Sequence, residues 1–112
     1  SDQMLFTGFT RNGKNIRIDP TVFAKSLPNP GDPNALISDS VFYLLRLPLT
    51  QASRDQLKKD IILGGQTSDY YWTNAWNAWI ANPNDTTNAN IVKTKLRDLY
   101  QYLMKLAEYQ LS

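Results

Sequence analysis

The chain has 112 residues, room for one domain with a real core and no need of a disulfide or a structural metal. It contains no cysteine and no histidine, which removes thiolate chemistry, a disulfide framework, the commonest general base and the commonest zinc ligand. The net charge is only +2, and the twelve basic residues are spread thinly, with Lys58 and Lys59 the adjacent pair, so no polyanionic partner is implied.

Residues 3–18 alternate as strands do. Leu5, Thr7 and Phe9 face one way and Phe6, Gly8 and Thr10 the other, while Ile16 and Ile18 flank Arg17. Between them Asn12-Gly13 is the pair that favours a tight primed turn, so residues 1–18 are expected to hold a small β-hairpin. Two strands alone are marginal in water, so this hairpin must lie on the helices or belong to a sheet outside the fragment. Asp19-Pro20 reads as a cap followed by a proline at the first helical position, opening a short helix over residues 20–27 that Pro28 stops. The prolines, glycine and asparagines of residues 28–34 predict a surface loop.

Ser38 or Asp39 is the expected cap of the next helix, with Val41, Leu44 and Leu45 on one face, Phe42 and Tyr43 widening it, and Pro48 closing it. Thr50 should cap a helix through Ala52, Leu57, Ile61 and Ile62, with Asp55 and Lys59 spaced for an i,i+4 pair. Gly64-Gly65 supplies a left-handed stop. Ser68 or Asp69 opens a helix carrying Trp72, Trp76, Trp79 and Ile80, ended by Pro83. Any of Asp85, Thr86 and Thr87 can cap the last helix. There Val92, Leu96, Leu99, Leu103 and Leu106 recur at alternating steps of four and three, which lays one apolar stripe along the helix. The pattern predicts a mainly α fold, a four- to five-helix bundle with a small N-terminal hairpin, in which the shorter helices of residues 19–112 cover that stripe. No apolar run approaches the roughly 20 residues needed to cross a bilayer, and the first residues do not read as a signal peptide. The chain opens on Ser1 rather than Met, and is expected to be a fragment of a longer protein.

Few constellations could carry chemistry. Trp72, Trp76 and Trp79 fall at i, i+4 and i+7 on one helix face, preceded by Tyr70 and Tyr71. That spacing suits a core face, which is the first reading. The alternative is a stacking platform for sugar rings, a carbohydrate-binding module built from Tyr70, Tyr71, Trp72, Trp76 and Trp79. Asp55 with Asp60, and Asp98 with Glu108, are too far apart to share a proton. Asp32, Asn34 and Asp39 lack the spacing and closing glutamate of a calcium loop, and Gly64-Gly65-Gln66-Thr67 lacks the lysine of a phosphate loop, so no metal and no cofactor is expected. The helices around that glycine pair do not suit nucleic acid either, because the second presents Tyr71, Trp72 and Trp76 where base-reading residues belong.

The succession Leu44-Leu45-Arg46-Leu47-Pro48-Leu49-Thr50, then Arg54-Asp55-Gln56-Leu57 and Ile61-Ile62-Leu63-Gly64-Gly65-Gln66, then residues 72–79 and 92–99, closing on Leu106-Ala107-Glu108-Tyr109-Gln110-Leu111, resembles the carboxy-terminal part of a bacterial family, domain of unknown function 1800. The closing Glu-Tyr-Gln-Leu is the most specific piece, and the likeness covers residues 19–112. Members of that family are several times longer, mainly helical and often carry export signals. The resemblance therefore implies a fragment of an exported or cell-envelope protein, with no catalytic residue to carry over. On these readings the chain is expected to be a non-catalytic structural or protein-interaction domain, its partner the remainder of its parent chain or another protein. Glu108, Tyr109 and Gln110 are expected to fix the end of the last helix against a neighbour.

Overall fold

The computed structural model describes residues 7–11 and 14–110, and the side chains of residues 17–110. Its centre is the last helix. Helix α5 (Thr86–Gln110) buries Val92, Leu96, Leu99 and Leu103 completely and Leu106 in part, as the apolar stripe requires. Ala89, Tyr100, Met104 and Ala107 widen that face. Burying a leucine is worth roughly 1.5–3 kcal/mol, so the stripe is among the largest stabilising features of the chain. Asp85 starts the helix, its carboxylate accepting from the Asn88 backbone N–H at 3.2 Å and the Asn88 side-chain amide at 2.8 Å. Those bonds to Asn88 hold the carboxyl below the usual carboxylate value.

Before it come two strands and four helices. β1 (Thr7–Arg11) pairs antiparallel with β2 (Lys14–Ile18), Thr7 opposite Ile18 and Arg11 opposite Lys14, and β1 lies against α5. The expected Asn12-Gly13 turn and the extension of the strand to residues 3–6 lie outside the described residues. Helix α1 (Pro20–Ser26) is capped by Asp19, whose carboxylate accepts from the N–H of Thr21 at 3.1 Å and of Val22 at 3.4 Å.

Helix α2 (Pro33–Leu44) begins earlier than expected. Its cap is Asp32, accepting from the Asn34 N–H at 2.9 Å, and not Ser38 or Asp39. Asp32-Pro33 repeats the Asp19-Pro20 signature, but the prolines and glycine before it disguise a helix start as the middle of a loop. The earlier start also sets the inward face as Pro33, Leu36, Ile37, Ser40 and Val41, with Leu45 buried just past the end. Phe42 and Tyr43 do not widen this face. They stand 78% and 63% exposed, ring against ring at 5.2 Å.

Helix α3 (Gln51–Leu57), capped by the Thr50 hydroxyl, runs into a π-helical turn (Lys58–Ile62) before Gly64 and Gly65 break it at φ 58° and 87°. The wider turn brings Leu57, Ile62 and Leu63 onto the core. It also changes the helical angle between Asp55 and Lys59. Asp55 accepts instead from the Gln51 amide at 2.8 Å, and the ion pair of this stretch is made by Lys58 with Asp69 at 3.1 Å. Helix α4 (Tyr70–Ala81) then crosses α5 with its tryptophans inward, while Ile80, expected on the same face, is 47% exposed. No helix among the described residues is long and apolar enough to cross a membrane.

One buried polar contact crosses the bundle. The Ser40 hydroxyl and the Tyr100 phenol, both fully buried, share a hydrogen bond of 2.8 Å, and Phe23 meets the Tyr100 ring edge-on at 5.2 Å. Burial pushes the Tyr100 phenol well above its ordinary value, and the bond to Ser40 offsets only part of that.

Candidate functional site

The aromatic residues singled out in the sequence are divided between core and surface. Trp72, Trp76 and Trp79 are 0%, 6% and 5% exposed. They pack on one another, Trp72 to Trp76 at 5.8 Å and Trp76 to Trp79 edge-on at 5.5 Å, with the Lys25 ammonium 4.5 Å above the Trp79 ring. The indoles therefore belong to the core reading of their spacing, and no row of them faces solvent. Tyr70 and Tyr71 are the exposed members, at 69% and 57%.

The start of α4 is fixed by what the indoles hold. Trp72 Nε1 donates to the Pro30 carbonyl at 2.8 Å and Thr73 Oγ1 to the Gly31 carbonyl at 2.7 Å, so the loop before α2 is tied flat onto α4. Gly31 lets the loop approach closely there, since a Cβ would sit 3.0 Å from Trp76 Cδ1 and require the indole to shift. The Ser68 hydroxyl accepts from the Tyr70 N–H at 3.2 Å, while the Asp69 side chain caps nothing. Asp69 instead accepts from Lys58 at 3.1 Å and from Asn34 Nδ2 at 3.0 Å. Lys58 also donates to Asn34 Oδ1 at 2.9 Å, and the Asn34 N–H and amide both donate to Asp32. The result is a polar chain, Asp32 to Asn34 to Asp69 to Lys58, that joins the starts of α2 and α4 to the π turn.

Two shallow depressions flank Tyr70. One, of about 440 Å³, lies between α4 and the start of α5 and is lined by Ser68, Tyr70, Tyr71, Asn74, Ala75, Ala78, Asn88 and Ile91. The other, of about 490 Å³, lies over the loop before α2 and is lined by Tyr70 with Asn29, Gly31, Asp32, Pro33, Asn34, Asp69, Thr73 and Asn77. Tyr70 is common to both and forms the ridge between them.

A second aromatic surface stands where α2 and α5 end. Phe42, Tyr43, Leu47 and Tyr109 are 78%, 63%, 56% and 77% exposed. Beside them the Gln110 side chain accepts from the N–H groups of Arg46 at 3.0 Å and Leu47 at 3.1 Å and donates to the Leu47 carbonyl at 3.3 Å. Of the three residues expected to fasten the end of α5, Gln110 does so through the connection between α2 and α3. Tyr109 stands clear of it.

Asp32 and Asp69 share the Asn34 amide, and the carboxylates weighed in the sequence have other partners. Asp55 is engaged by Gln51, Asp98 by Arg97 at 3.0 Å, and among the described residues no group of three acidic residues is placed to hold a metal ion. The sequence reading missed the Asp32-to-Lys58 chain, the Ser40–Tyr100 bond and the partners of Gln110, Arg46 and Leu47. The Asp-Pro pair at residues 32–33 was the available signal for the first. The other two join positions some sixty residues apart and left no local trace. No protein-family model, curated protein or solved structure matches the chain.

Proposed function

We propose that the chain is a non-catalytic helical domain that works by contact, its partner being the remainder of a longer parent polypeptide. The observation that carries this reading is the aromatic end surface of Phe42, Tyr43, Leu47 and Tyr109, large apolar side chains held in solvent on well-fastened backbone. Its supports are two stretches of the family resemblance, Leu45-Arg46-Leu47-Pro48 and the closing Glu108-Tyr109-Gln110 that is part of its most specific piece, which meet at this surface through the Gln110 clamp. The same resemblance makes the parent a bacterial member of the domain of unknown function 1800 family, exported or in the cell envelope.

The test has two arms. The reading frame upstream of Ser1 should continue for several hundred residues and open on an export signal. The polypeptide it encodes, produced separately and titrated with the present chain, should bind, and Phe42→Ser with Tyr109→Ser should weaken that binding by roughly tenfold or more, as loss of aromatic anchors does. No upstream frame, or binding indifferent to both substitutions, overturns the proposal. So does turnover of an ester, glycoside or phosphate substrate by the isolated chain.

A further inference from the structure

We infer that the two depressions on either side of Tyr70 form one cleft for a neutral oligosaccharide, with the Tyr70 ring as its stacking platform. This site is separate from the aromatic end surface and shares no residue with it. Three features select the ligand class.

The first is shape. An exposed tyrosine standing between two hollows of about 440 and 490 Å³ offers one flat apolar face with room on both sides, which suits a chain of rings better than a single compact molecule. The C–H face of a pyranose stacks on such a ring, and Ala75 and Ile91 give the first hollow an apolar floor that continues the contact.

The second is the lining. Asn74 and Asn88 edge one hollow and Asn77 and Asn34 the other. A side-chain amide carries both a donor and an acceptor, and a sugar hydroxyl also donates and accepts, so Asn74 and Asn77 can satisfy a hydroxyl in either sense, while the Asn34 amide is already held by Asp32, Asp69 and Lys58 and the Asn88 amide N–H by Asp85. A peptide would call for an open strand edge or deep apolar pockets, and the depressions provide neither.

The third is charge. The carboxylates of Asp32 and Asp69 line the second hollow, and Lys58, the cation in their network, is already paired with Asp69 at 3.1 Å. An anionic ligand would meet two carboxylates and no unpaired cation from that network. A neutral polyol can donate to the lone pairs those carboxylates have left. The platform is also rigid before any ligand arrives, since Trp72 and Thr73 bind the loop carbonyls of Pro30 and Gly31 and anchor the turn of helix that carries Tyr70.

The test is a ¹⁵N chemical-shift titration of the whole chain with cellotetraose, chitotetraose and mannotetraose, with tetragalacturonate as the acidic counterpart. At least one neutral tetrasaccharide should move the amides of Tyr70, Asn74 and Asn77 with a Kd of order 1 mM, the range expected of a shallow site. Tyr70→Ala should weaken it roughly tenfold, as loss of one stacked ring does, while Tyr70→Phe keeps it and Tyr102→Ala, at an exposed tyrosine outside both surfaces, changes nothing. The shift map of the unsubstituted chain answers the question even if Tyr70→Ala disturbs the fold. The inference is overturned by shifts centred elsewhere, by no neutral tetrasaccharide binding below about 10 mM, by tetragalacturonate binding as tightly, or by a folded Tyr70→Ala that binds as before.

Discussion

Helix α4 carries Tyr70 and Tyr71 in solvent and Trp72, Trp76 and Trp79 in the core, so neighbouring aromatic residues of one helix belong to different environments. The division follows the helical angle. Trp72, Trp76 and Trp79 share the buried face, and Tyr70 and Tyr71 lie up to two residues before that face begins, rotated well away from it. Aromatic content alone would have grouped the five. Their angles show which of them hold the fold and which are free to meet a ligand.

Trp72→Ala is the strongest way to break that comparison. Trp72 is fully buried and its indole N–H satisfies the Pro30 carbonyl, so the substitution leaves a large cavity and an unpaired acceptor. It should cost about 3–5 kcal/mol in urea denaturation, enough to threaten the fold of a chain this size. A loss below about 1 kcal/mol would mean that the indole row is not the core face of α4.

The Ser40–Tyr100 pair sharpens the comparison from the opposite side, because Tyr100 is a tyrosine that behaves like the tryptophans. Tyr100→Phe or Ser40→Ala alone should cost about 1–3 kcal/mol, since each leaves a buried hydroxyl without its partner, and the double variant should lose less than the sum. The pH dependence has a definite sign. Burial raises the folded-state pKa of Tyr100 above the unfolded value, so above about pH 10 the unfolded chain loses a proton that the folded chain keeps. The stabilisation is complete below that pH and declines as the pH rises through it. Denaturation curves measured on both sides of pH 10 should show the decline, and Tyr100→Phe should flatten it. Phenolate absorbance from Tyr100 should emerge only with unfolding.

These contacts mark how far the sequence could be read. Periodicity sufficed for α5, because Val92 to Leu106 obey one local rule and the inward side of such a stripe is the apolar side. Caps at Asp19 and Thr50 were legible for the same reason, each acting within three residues of itself, and Asp85 was one of three adjacent candidates. The start of α2 was missed where two local signals conflicted, a proline-rich run against an Asp-Pro cap, and the cap prevailed because Leu36 and Ile37 had a core to enter. The π turn at Lys58–Ile62 has no propensity signature, since it arises when Leu57 and Ile62 both seek burial. In the candidate site Tyr70 and Tyr71 were legible as candidates. The hollows beside them were not, because they are made by residues 29–34 and 88–91 arriving from elsewhere in the chain.

The smallest expected effect makes the finest test. Tyr71 is 57% exposed and borders a hollow, so Tyr71→Ala should leave stability within about 0.5 kcal/mol of the parent chain, in contrast with the loss at the adjacent Trp72. Iodide, which reaches only surface fluorophores, should barely quench the tryptophan emission in either protein, since the indoles are buried in the core, Trp72 against the loop before α2. If Tyr71→Ala made the emission accessible to iodide, Tyr71 would be a lid over the indole row, and the line between structural and ligand-facing aromatics would have to be moved one residue towards the start of the helix. Unchanged quenching with unchanged stability would fix that line between Tyr71 and Trp72, where the helical angle puts it.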